Sequence, residues 1–365
     1  MSSPLGRIGA WPATAALALL AASATGAGAA QQQMLASFDG GTAWLNSQPL
    51  TPAGLAGKVV LVDFWEYTCI NCLKALPYER TWYQRYAKDG FVIVGVQTPE
   101  FAFSGETANV ANAVKRLQID WPVVVDAQQK IWNRYGNDAW PHEFLYDQRG
   151  VLVAEHEGEG DYPETEARIQ QLLRASDPNA KFPAPMDYLP QDRYSKPGAV
   201  CYRHTPEMYV GDWRGDGALG NEQGYAKGKT IAYVDLGPHD DGRAYLLGPW
   251  YQDGEAMVSA SGPPVDEHVA IRYRALQVVA VLAPSGQPVP AFVLQDGAAL
   301  TRASAGPDVR FDEHGRAFVL VNAPREYDLV TNKQFGQHDL ELRPERPGLR
   351  VYTFDFEACE VGADR

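Results

Sequence analysis

A continuous apolar run that leads into a closely spaced pair of cysteines constrains the fold of this chain most. The stretch KVVLVDFWEYTCINC covers 58–72 and places Cys69 and Cys72 three positions apart. Its first half is rich in β-branched residues, which is typical of a strand buried on both faces. Apolar residues at helical spacing follow over 73–90 and end at a glycine. The cysteines therefore stand where a buried strand gives way to a helix.

The same alternation of strand and helix patterns continues to about residue 175. Buried-strand patterns recur at 91–100 and 121–126, and amphipathic helical patterns at 106–119 and 128–136. The stretch 143–158 reads as a hairpin, and 161–175 as a closing helix with a proline near its first turn. This order predicts an α/β layer structure with a parallel core that ends in an antiparallel hairpin.

The cysteine pair has three interpretations, of which two fit poorly. A structural zinc site needs four ligands, yet Cys201 and Cys359 are distant in the chain and no histidine lies within a few residues of the pair. A purely structural disulfide would close so short a loop that it would constrain the unfolded chain very little. A redox-active dithiol at a helix N-terminus explains more, because the helix dipole and free N–H groups there stabilise a thiolate.

Several stretches resemble those of a known family. VDFWEYTCINC with the following proline, Pro77, looks like the active-site stretch of thioredoxins. It is closer to the TlpA/ResA-like extracytoplasmic thioredoxins, and closest to the thioredoxin-like region of DipZ-type proteins. GVQTPEFAF, WPVVVDAQQKIWNRYG, WPHEFLYDQRG and GEGDYPETE also fit that pattern. The resemblance covers 57–174 and implies a thioredoxin fold, here predicted as a domain over 34–175.

The resemblance implies roles for four residues around the dithiol. Cys69 would be the nucleophile, and Cys72, one turn further into the helix, the resolving thiol. Pro141 would be a cis-proline that faces the disulfide and leaves the backbone of Trp140 free to pair with a substrate chain. No cofactor and no metal are expected beyond the Cys69–Cys72 disulfide itself.

Three further residues before the cysteines shape the expected site. Asp63 matches the buried aspartate of thioredoxins, whose raised pKa would let it accept the proton of Cys72. Trp65 is expected to pack beside the site. Glu66 departs from the family, where a neutral residue is usual, and its charge would oppose ionisation of Cys69. We nevertheless expect the helix N-terminus to lower the pKa of Cys69 below the free value of about 8.5.

The second half of the chain has a different pattern. Residues 176–198 contain five prolines and few periodic apolar residues, which indicates an extended linker that separates two cores. Over 199–361 the helical period disappears and short β-rich pieces alternate with Gly, Pro and Asp, as in an all-β sandwich or jelly roll. The pieces TPEMYVG, LLGPWYQDGE and LRVYTFDF resemble the carbohydrate-binding-module-like end of DipZ-type proteins.

Aromatic residues and two cysteines in this β domain suggest further features. A carbohydrate is a possible partner because aromatic faces could stack on sugar rings, although such residues in a β-sandwich more often belong to the core; the candidates are Trp213, Trp250, Tyr251 and Tyr273. Cys201 and Cys359 stand at the two ends of the domain, where terminal strands often meet. We expect them to form a disulfide buried between strands, which would contribute about 4–5 kcal/mol by constraining the unfolded chain.

The N-terminus predicts export. Residues 1–29 show a single charge, a short apolar run and small residues near 27–29, the layout of a cleaved signal peptide; a membrane anchor is the alternative. The protein is therefore expected to be periplasmic or secreted, where disulfides persist. A net charge of −13 and a pI of about 5.0 argue against nucleic acid or an anionic membrane surface as the main partner.

These observations predict an extracytoplasmic thiol–disulfide oxidoreductase, with protein disulfides as substrates. The resemblance favours a reductant, as used on apocytochrome c or on misoxidised proteins. Because the membrane-embedded domain of DipZ-type proteins is not seen in this sequence, a separate membrane donor of the CcdA or DsbD kind would supply electrons. One alternative is a carbohydrate- or surface-binding protein with a vestigial thioredoxin domain. A thiol peroxidase is a lesser one, because Glu66 replaces the threonine of the peroxiredoxin signature.

Overall fold

Most of the chain beyond the predicted signal peptide is described by a computed structural model. The described residues are 32–190, 192–214, 217–262 and 266–361, so the predicted signal peptide at 1–29 lies outside them. No helix within these ranges is long and apolar enough to cross a membrane.

The first domain is built on a mixed β-sheet. Its strands run in the order β1-β4-β3-β2-β5-β6; their bounds are β1 Ala43–Leu45, β2 Val59–Trp65, β3 Phe91–Gln97, β4 Val123–Val125, β5 His142–Tyr146 and β6 Leu152–Glu157. β2, β3 and β4 pair in parallel, whereas β5 and β6 add an antiparallel hairpin. The predicted parallel core with its terminal hairpin is confirmed.

Helices cover both faces of this sheet. They are α1 Ile70–Tyr86, α2 Thr107–Arg116, α3 Lys130–Tyr135 and α4 Tyr162–Ser176. Every residue of β2 is buried, and its alternate side chains enter two different apolar cores: Leu61 and Trp65 lie in one, Val62 and Phe64 in the other. An uninterrupted apolar run is what such a central strand requires. It also brings the strand end that precedes Cys69 to the centre of the sheet.

The segment 177–198, here called the connecting segment, is packed and not free. Its described residues form neither helix nor strand, as the prolines predict. Its apolar side chains nevertheless lie against the core of the first domain; they are Phe182, Met186, Tyr188 and Leu189. Glu166 of α4 fixes its backbone by accepting a hydrogen bond of 2.6 Å from the N–H of Met186.

The β domain supplies the remaining strands. They are β7 Ala199–Cys201, β8 Met208–Tyr209, β9 Thr230–Tyr233, β10 Ala244–Gln252, β11 Met257–Ser259, β12 His268–Pro284, β13 Val289–Gln295, β14 Ala298–Ala299, β15 Val309–Phe311, β16 Ala317–Val321, β17 Arg325–Pro344, β18 Leu349–Glu357 and β19 Cys359–Val361. Most of them form one large sheet in the order β15-β16-β13-β17-β12-β10-β11-β18-β8.

The large sheet folds back on itself through its longest strands. The first part of β12 pairs with β10, and the second part, from Gln277 to Pro284, pairs with β18. β10 and β18 are joined in turn through β11, so these pairings close a circuit. The pairing of β12 with β17 shifts register between Ala275 and Gln277. On the other edge of β12, the pairing with β10 ends before this shift and the pairing with β18 begins at Gln277, as expected of a bulge that bends a strand. The all-β class predicted for this half is confirmed.

A separate ribbon of β7 and β19 closes the β domain. Cys201 and Cys359 are directly paired in this ribbon and joined in a disulfide. Cys359 is buried, but Cys201 is exposed, so the expectation that strands would bury the whole disulfide is wrong. The reason is that β7 and β19 pair with each other and lie outside the large sheet.

The two domains share an apolar contact. The described residues from Gln33 onward form one compact unit. A small buried cluster joins the loop after β3 to β12, to β18 and to the residue before β11; it consists of Phe101, Ala256, Val281, Ala283 and Tyr352. The rings of Phe101 and Phe103 meet that of Tyr352 edge to face, with centroids 5.1 and 4.9 Å apart. The two large cores are separate, as expected of the linker, but this small cluster adds a direct contact between the domains.

Candidate active site

The first cysteine of the pair caps the helix that follows β2. Cys69 has an extended backbone and precedes Ile70, the first residue of α1. Its Sγ accepts a hydrogen bond of 3.2 Å from the N–H of Cys72, so the sulfur occupies the position of an N-cap acceptor. The Cys69 side chain is half-buried, whereas Cys72, inside the first turn, is buried.

The loop before β5 faces the sulfur of Cys69. The Trp140–Pro141 peptide bond is cis, and the Cys69 thiol donates to the carbonyl oxygen of Trp140 over 3.8 Å. The indole of Trp140 lies against that of Trp132, with centroids 4.4 Å apart. The structure thus brings together Cys69, Cys72, Trp140 and Pro141, as the sequence predicts.

The acidity expected for Cys69 is wrong in direction. Burial raises the pKa of the Cys69 thiol, and the negative charges of Glu100 and Asp355 raise it further. Hydrogen bonds from Cys72 lower the pKa but do not outweigh burial. The helix N-terminus is present as predicted, yet burial of the thiol is the largest influence on its pKa.

Glu66 has a different role from the one its position suggests. Its side chain is fully buried and accepts hydrogen bonds from the backbone and hydroxyl of Thr68, from the amide of Gln97 at 3.1 Å and from the N–H of Glu100 at 3.3 Å. Burial raises the pKa of Glu66 to about 7. Glu66 therefore holds together the loops on either side of the site, and Glu100 and Asp355 are the carboxylates that oppose ionisation of Cys69.

Asp63 lies beneath the second cysteine. It is fully buried, neither of its carboxyl oxygens has a hydrogen-bond partner, and burial raises its pKa to about 8. The pKa of Cys72 is raised well above its ordinary value by burial, by its hydrogen bond with Cys69 and by the charges of Cys69 and Asp63. Asp63 and Cys72 thus interact electrostatically and both favour the protonated state. Trp65 packs in the same apolar core as Cys72, consistent with the packing role expected of it.

Two buried carboxyl groups near Asp63 were not predicted from the sequence. Glu143 stands directly opposite Asp63 on β5, and Glu79 lies on the inner face of α1. Burial, followed by the charge of Asp63, raises the pKa of Glu143 to about 8, and burial with the charges of both neighbours raises that of Glu79 well above normal. The sequence held a signal for Glu143, because an acidic residue inside the apolar strand HEFLY is unusual.

The β domain also reaches the active-site helix. Lys74, on the second turn of α1, forms ion pairs with Glu357 of β18 and with Glu159, the latter at 3.3 Å. Its ammonium group lies 3.6 Å from the centre of the Tyr194 ring, and the Tyr194 hydroxyl donates to Glu357. Sequence reasoning missed this contact because nothing local in either segment indicates the pairing.

The aromatic residues proposed for sugar stacking divide into two groups. Trp250 and Tyr273 are fully buried in the core of the β domain and offer no face to a ligand. Trp213 and Tyr251 are 45% and 38% exposed, but the guanidinium of Arg214 covers the ring of Trp213 at 4.6 Å. Among the described residues, no group of three or more His, Cys, Asp or Glu side chains could hold a metal ion.

Comparison with family models divides the chain as the structure does. Residues 31–173 match the redoxin model, and residues 205–356 match a model described as a thioredoxin-like C-terminal domain. The chain is 32% identical over 331 residues to protein DipZ of Mycobacterium tuberculosis, an alignment that covers 86% of this chain and 41% of that protein. The chain thus spans about two-fifths of the length of this relative.

Shorter relatives match part of the chain. The thiol-disulfide oxidoreductase ResA of Bacillus anthracis is 30% identical over 118 residues, which are 32% of this chain and 65% of ResA. The solution structure of a thioredoxin-like protein in its oxidised form shares 24% sequence identity and covers 40% of this chain and 97% of its own, with a TM-score of 0.37.

Proposed function

Since this chain belongs to the DipZ-type thioredoxin-like proteins, with a redoxin domain followed by a thioredoxin-like C-terminal domain, we propose that it is a thiol–disulfide oxidoreductase that acts through Cys69 and Cys72. One observation carries the proposal. The Cys69 sulfur lies at the N-terminus of α1, within 3.8 Å of the Trp140 carbonyl and one helical turn from the buried Cys72.

The geometry supports a two-step exchange. The Cys69 thiolate attacks one sulfur of a substrate disulfide, a mixed disulfide forms, and the other substrate sulfur leaves as a thiolate. Asp63 in its carboxylate form then accepts the proton of Cys72, the resulting Cys72 thiolate attacks the Cys69 sulfur, and the second substrate thiolate leaves. Two electrons pass to the substrate and a Cys69–Cys72 disulfide remains. Asp63 can serve as this acceptor because its buried carboxyl group has no other hydrogen-bond partner, and with a pKa of about 8 its carboxylate form becomes more populated as the pH rises towards that value.

The raised pKa of Cys69 favours the reducing direction. A strongly oxidising dithiol protein owes its potential to a stabilised reduced form, and burial here destabilises the Cys69 thiolate. We therefore propose a reductant of protein disulfides, of the kind used in cytochrome c maturation, in an extracytoplasmic compartment. Its own disulfide would be reduced by a membrane-bound dithiol donor of the CcdA or DsbD kind.

Insulin reduction with dithiothreitol tests the activity. The protein should accelerate reduction well beyond dithiothreitol alone, Cys69→Ser should abolish the acceleration, and Cys72→Ser should accumulate a covalent complex through Cys69. Cys201→Ser is the matched control, because its disulfide lies in the β7–β19 ribbon and its loss should leave the reduction rate nearly unchanged. A wild-type rate equal to that of dithiothreitol alone would favour a binding protein with a vestigial thioredoxin domain.

A further inference from the structure

A cavity of about 470 Å³ opens beside the dithiol, where the two domains meet. One wall is the outer face of α1 from Ile70 to Tyr78, another is the connecting segment, and the third is the β domain. Ile70, the residue after Cys69, is the lining residue nearest to the dithiol along the chain. The proposed exchange mechanism does not use it.

The walls of the cavity carry more acidic than basic side chains. Four carboxylates line it: Asp192, Glu326, Asp328 and Glu357. Two cations line it as well, but Lys74 is already paired with Glu357 and Glu159, and the side chain of Arg193 is exposed. Lys74 is thus engaged by Glu357 at the β-domain wall, and neither Glu326 nor Asp328 forms an ion pair with a described residue.

Glu326 is the acidic group left without a partner, and burial, followed by the charge of Asp328, raises its pKa well above the ordinary value. Its side chain is only 9% exposed, and its Oε2 has no hydrogen-bond partner. Asp328, two residues along β17, accepts a hydrogen bond from Gln277 at 2.5 Å, whereas Asp192 accepts from Tyr78, Tyr194 and Ser195. An acceptor buried without a partner is costly, and a positively charged donor that entered the cavity would relieve that cost.

The length of the cavity indicates how far along a substrate chain such a donor would lie from the cysteine that Cys69 attacks. Ile70 and Tyr78 are eight positions apart on α1, which is about 12 Å of helix. An extended peptide covers that distance in three to four residues. Leu73, Pro77 and Leu189 add apolar surface along the way, which suits the aliphatic stem of a lysine or arginine.

We propose that this cavity binds a lysine or arginine side chain of the polypeptide substrate, three or four residues from the cysteine that Cys69 attacks, with Glu326 and Asp328 as its acceptors. The β domain would thereby select substrates for the thioredoxin-like domain. This inference rests on the proposed function, because it treats the bound polypeptide as a substrate of the oxidoreductase. The binding of a basic peptide can nevertheless be measured without any redox step.

Two synthetic peptides test the proposal by turnover. Both contain one disulfide, and they differ only in having lysine or norleucine at the positions three residues before and after one cysteine. Wild-type protein should reduce the lysine peptide with a kcat/KM roughly tenfold higher, which corresponds to about 1.4 kcal/mol. Glu326→Gln combined with Asp328→Asn should remove the preference and leave the rate on the norleucine peptide unchanged. Glu313→Gln, an exposed carboxylate outside the cavity, is the matched control.

Binding of the same peptides with serine in place of cysteine separates the two proposals. Fluorescence anisotropy at low ionic strength should show tighter binding of the lysine peptide to wild-type protein, and the difference should disappear in the double variant and shrink in high salt. Equal affinity for both peptides, or a preference that survives in a double variant with an unchanged melting temperature, would overturn the cavity proposal. If the binding preference is preserved but neither disulfide peptide is reduced, the proposed oxidoreductase activity would be overturned and the cavity proposal would stand.

Discussion

At the scale of single residues, the most consequential group is the carboxyl of Asp63, buried without a partner beneath Cys72. Its pKa of about 8 lies above the ordinary value near 4, so the folded state holds a proton that the unfolded state releases as pH rises. Its contribution to stability is therefore lost between about pH 4 and pH 8. Asp63→Asn removes this penalty and should stabilise the protein at pH 7 by a few kcal/mol, on the order of 1.4 kcal/mol per unit of pKa shift.

Thermal unfolding at pH 4 and pH 7.5 checks this prediction. The variant should melt higher than wild type at pH 7.5 and nearly equally at pH 4, while insulin reduction slows because Cys72 loses its proton acceptor. Asp120→Asn changes an exposed carboxylate and should alter neither property. An Asp63→Asn protein that is less stable at pH 7.5 would contradict a buried, unpaired carboxyl group.

Thiol acidity at Cys69 gives a second prediction at this scale. Burial and two carboxylates raise its pKa, so the midpoint of its alkylation with pH should lie above the free value of about 8.5. Asp355→Asn removes one of these charges and should lower the midpoint, whereas Glu313→Gln should not. The Cys72→Ser background leaves one reactive thiol. A wild-type midpoint below that of free cysteine would mean that the helix N-terminus lowers the pKa of Cys69 by more than burial raises it.

At the scale of elements, α4 fixes the connecting segment through one side chain. Glu166 is fully buried and accepts from Arg85 at 2.6 Å, from the Tyr86 hydroxyl and from the Met186 backbone. Glu166→Ala removes the acceptor that these donors share and should cost about 2–3 kcal/mol. The connecting segment should then detach and be cut by protease between 177 and 190. Glu164→Ala on the exposed side of α4 is the control; identical cleavage in both variants would show that Glu166 does not hold the segment.

Local patterns account for the elements that sequence reasoning found. β2, β3 and α1 were predictable because their apolar residues follow one period without interruption. β10 and the first half of β17 have no such period, because Gly248 and Pro249 interrupt the first and most residues of the second are polar. Cys69, Cys72 and Pro141 were found because short motifs mark them. Glu79 and the Lys74–Glu357 pair were not, since burial and pairing across the molecule depend on packing that no local period records.

At the scale of the whole molecule, Tyr352 joins the two domains. It is 4% exposed and its ring contacts Phe101 and Phe103 across the interface. Tyr352→Ala should cost about 3–5 kcal/mol through lost burial and a cavity. Calorimetry should show one unfolding transition for wild type and two for the variant, whereas Tyr251→Ala, at a side chain that is 38% exposed, should retain one. A single transition at an unchanged temperature in Tyr352→Ala would mean that the domains do not depend on this contact.

The disulfide between β7 and β19 has a mechanical consequence. Cys201 and Cys359 are 158 positions apart. Tension applied to the chain on either side of the β domain therefore passes through the sulfur–sulfur bond, and the chain between these two cysteines carries none of it. Fully stretched, the protected length would be about 500 Å at roughly 3.3 Å per residue. Pulled in an oxidising solution, the molecule should extend by the length of its first domain alone, and a reductant that reaches the exposed Cys201 should release the remainder.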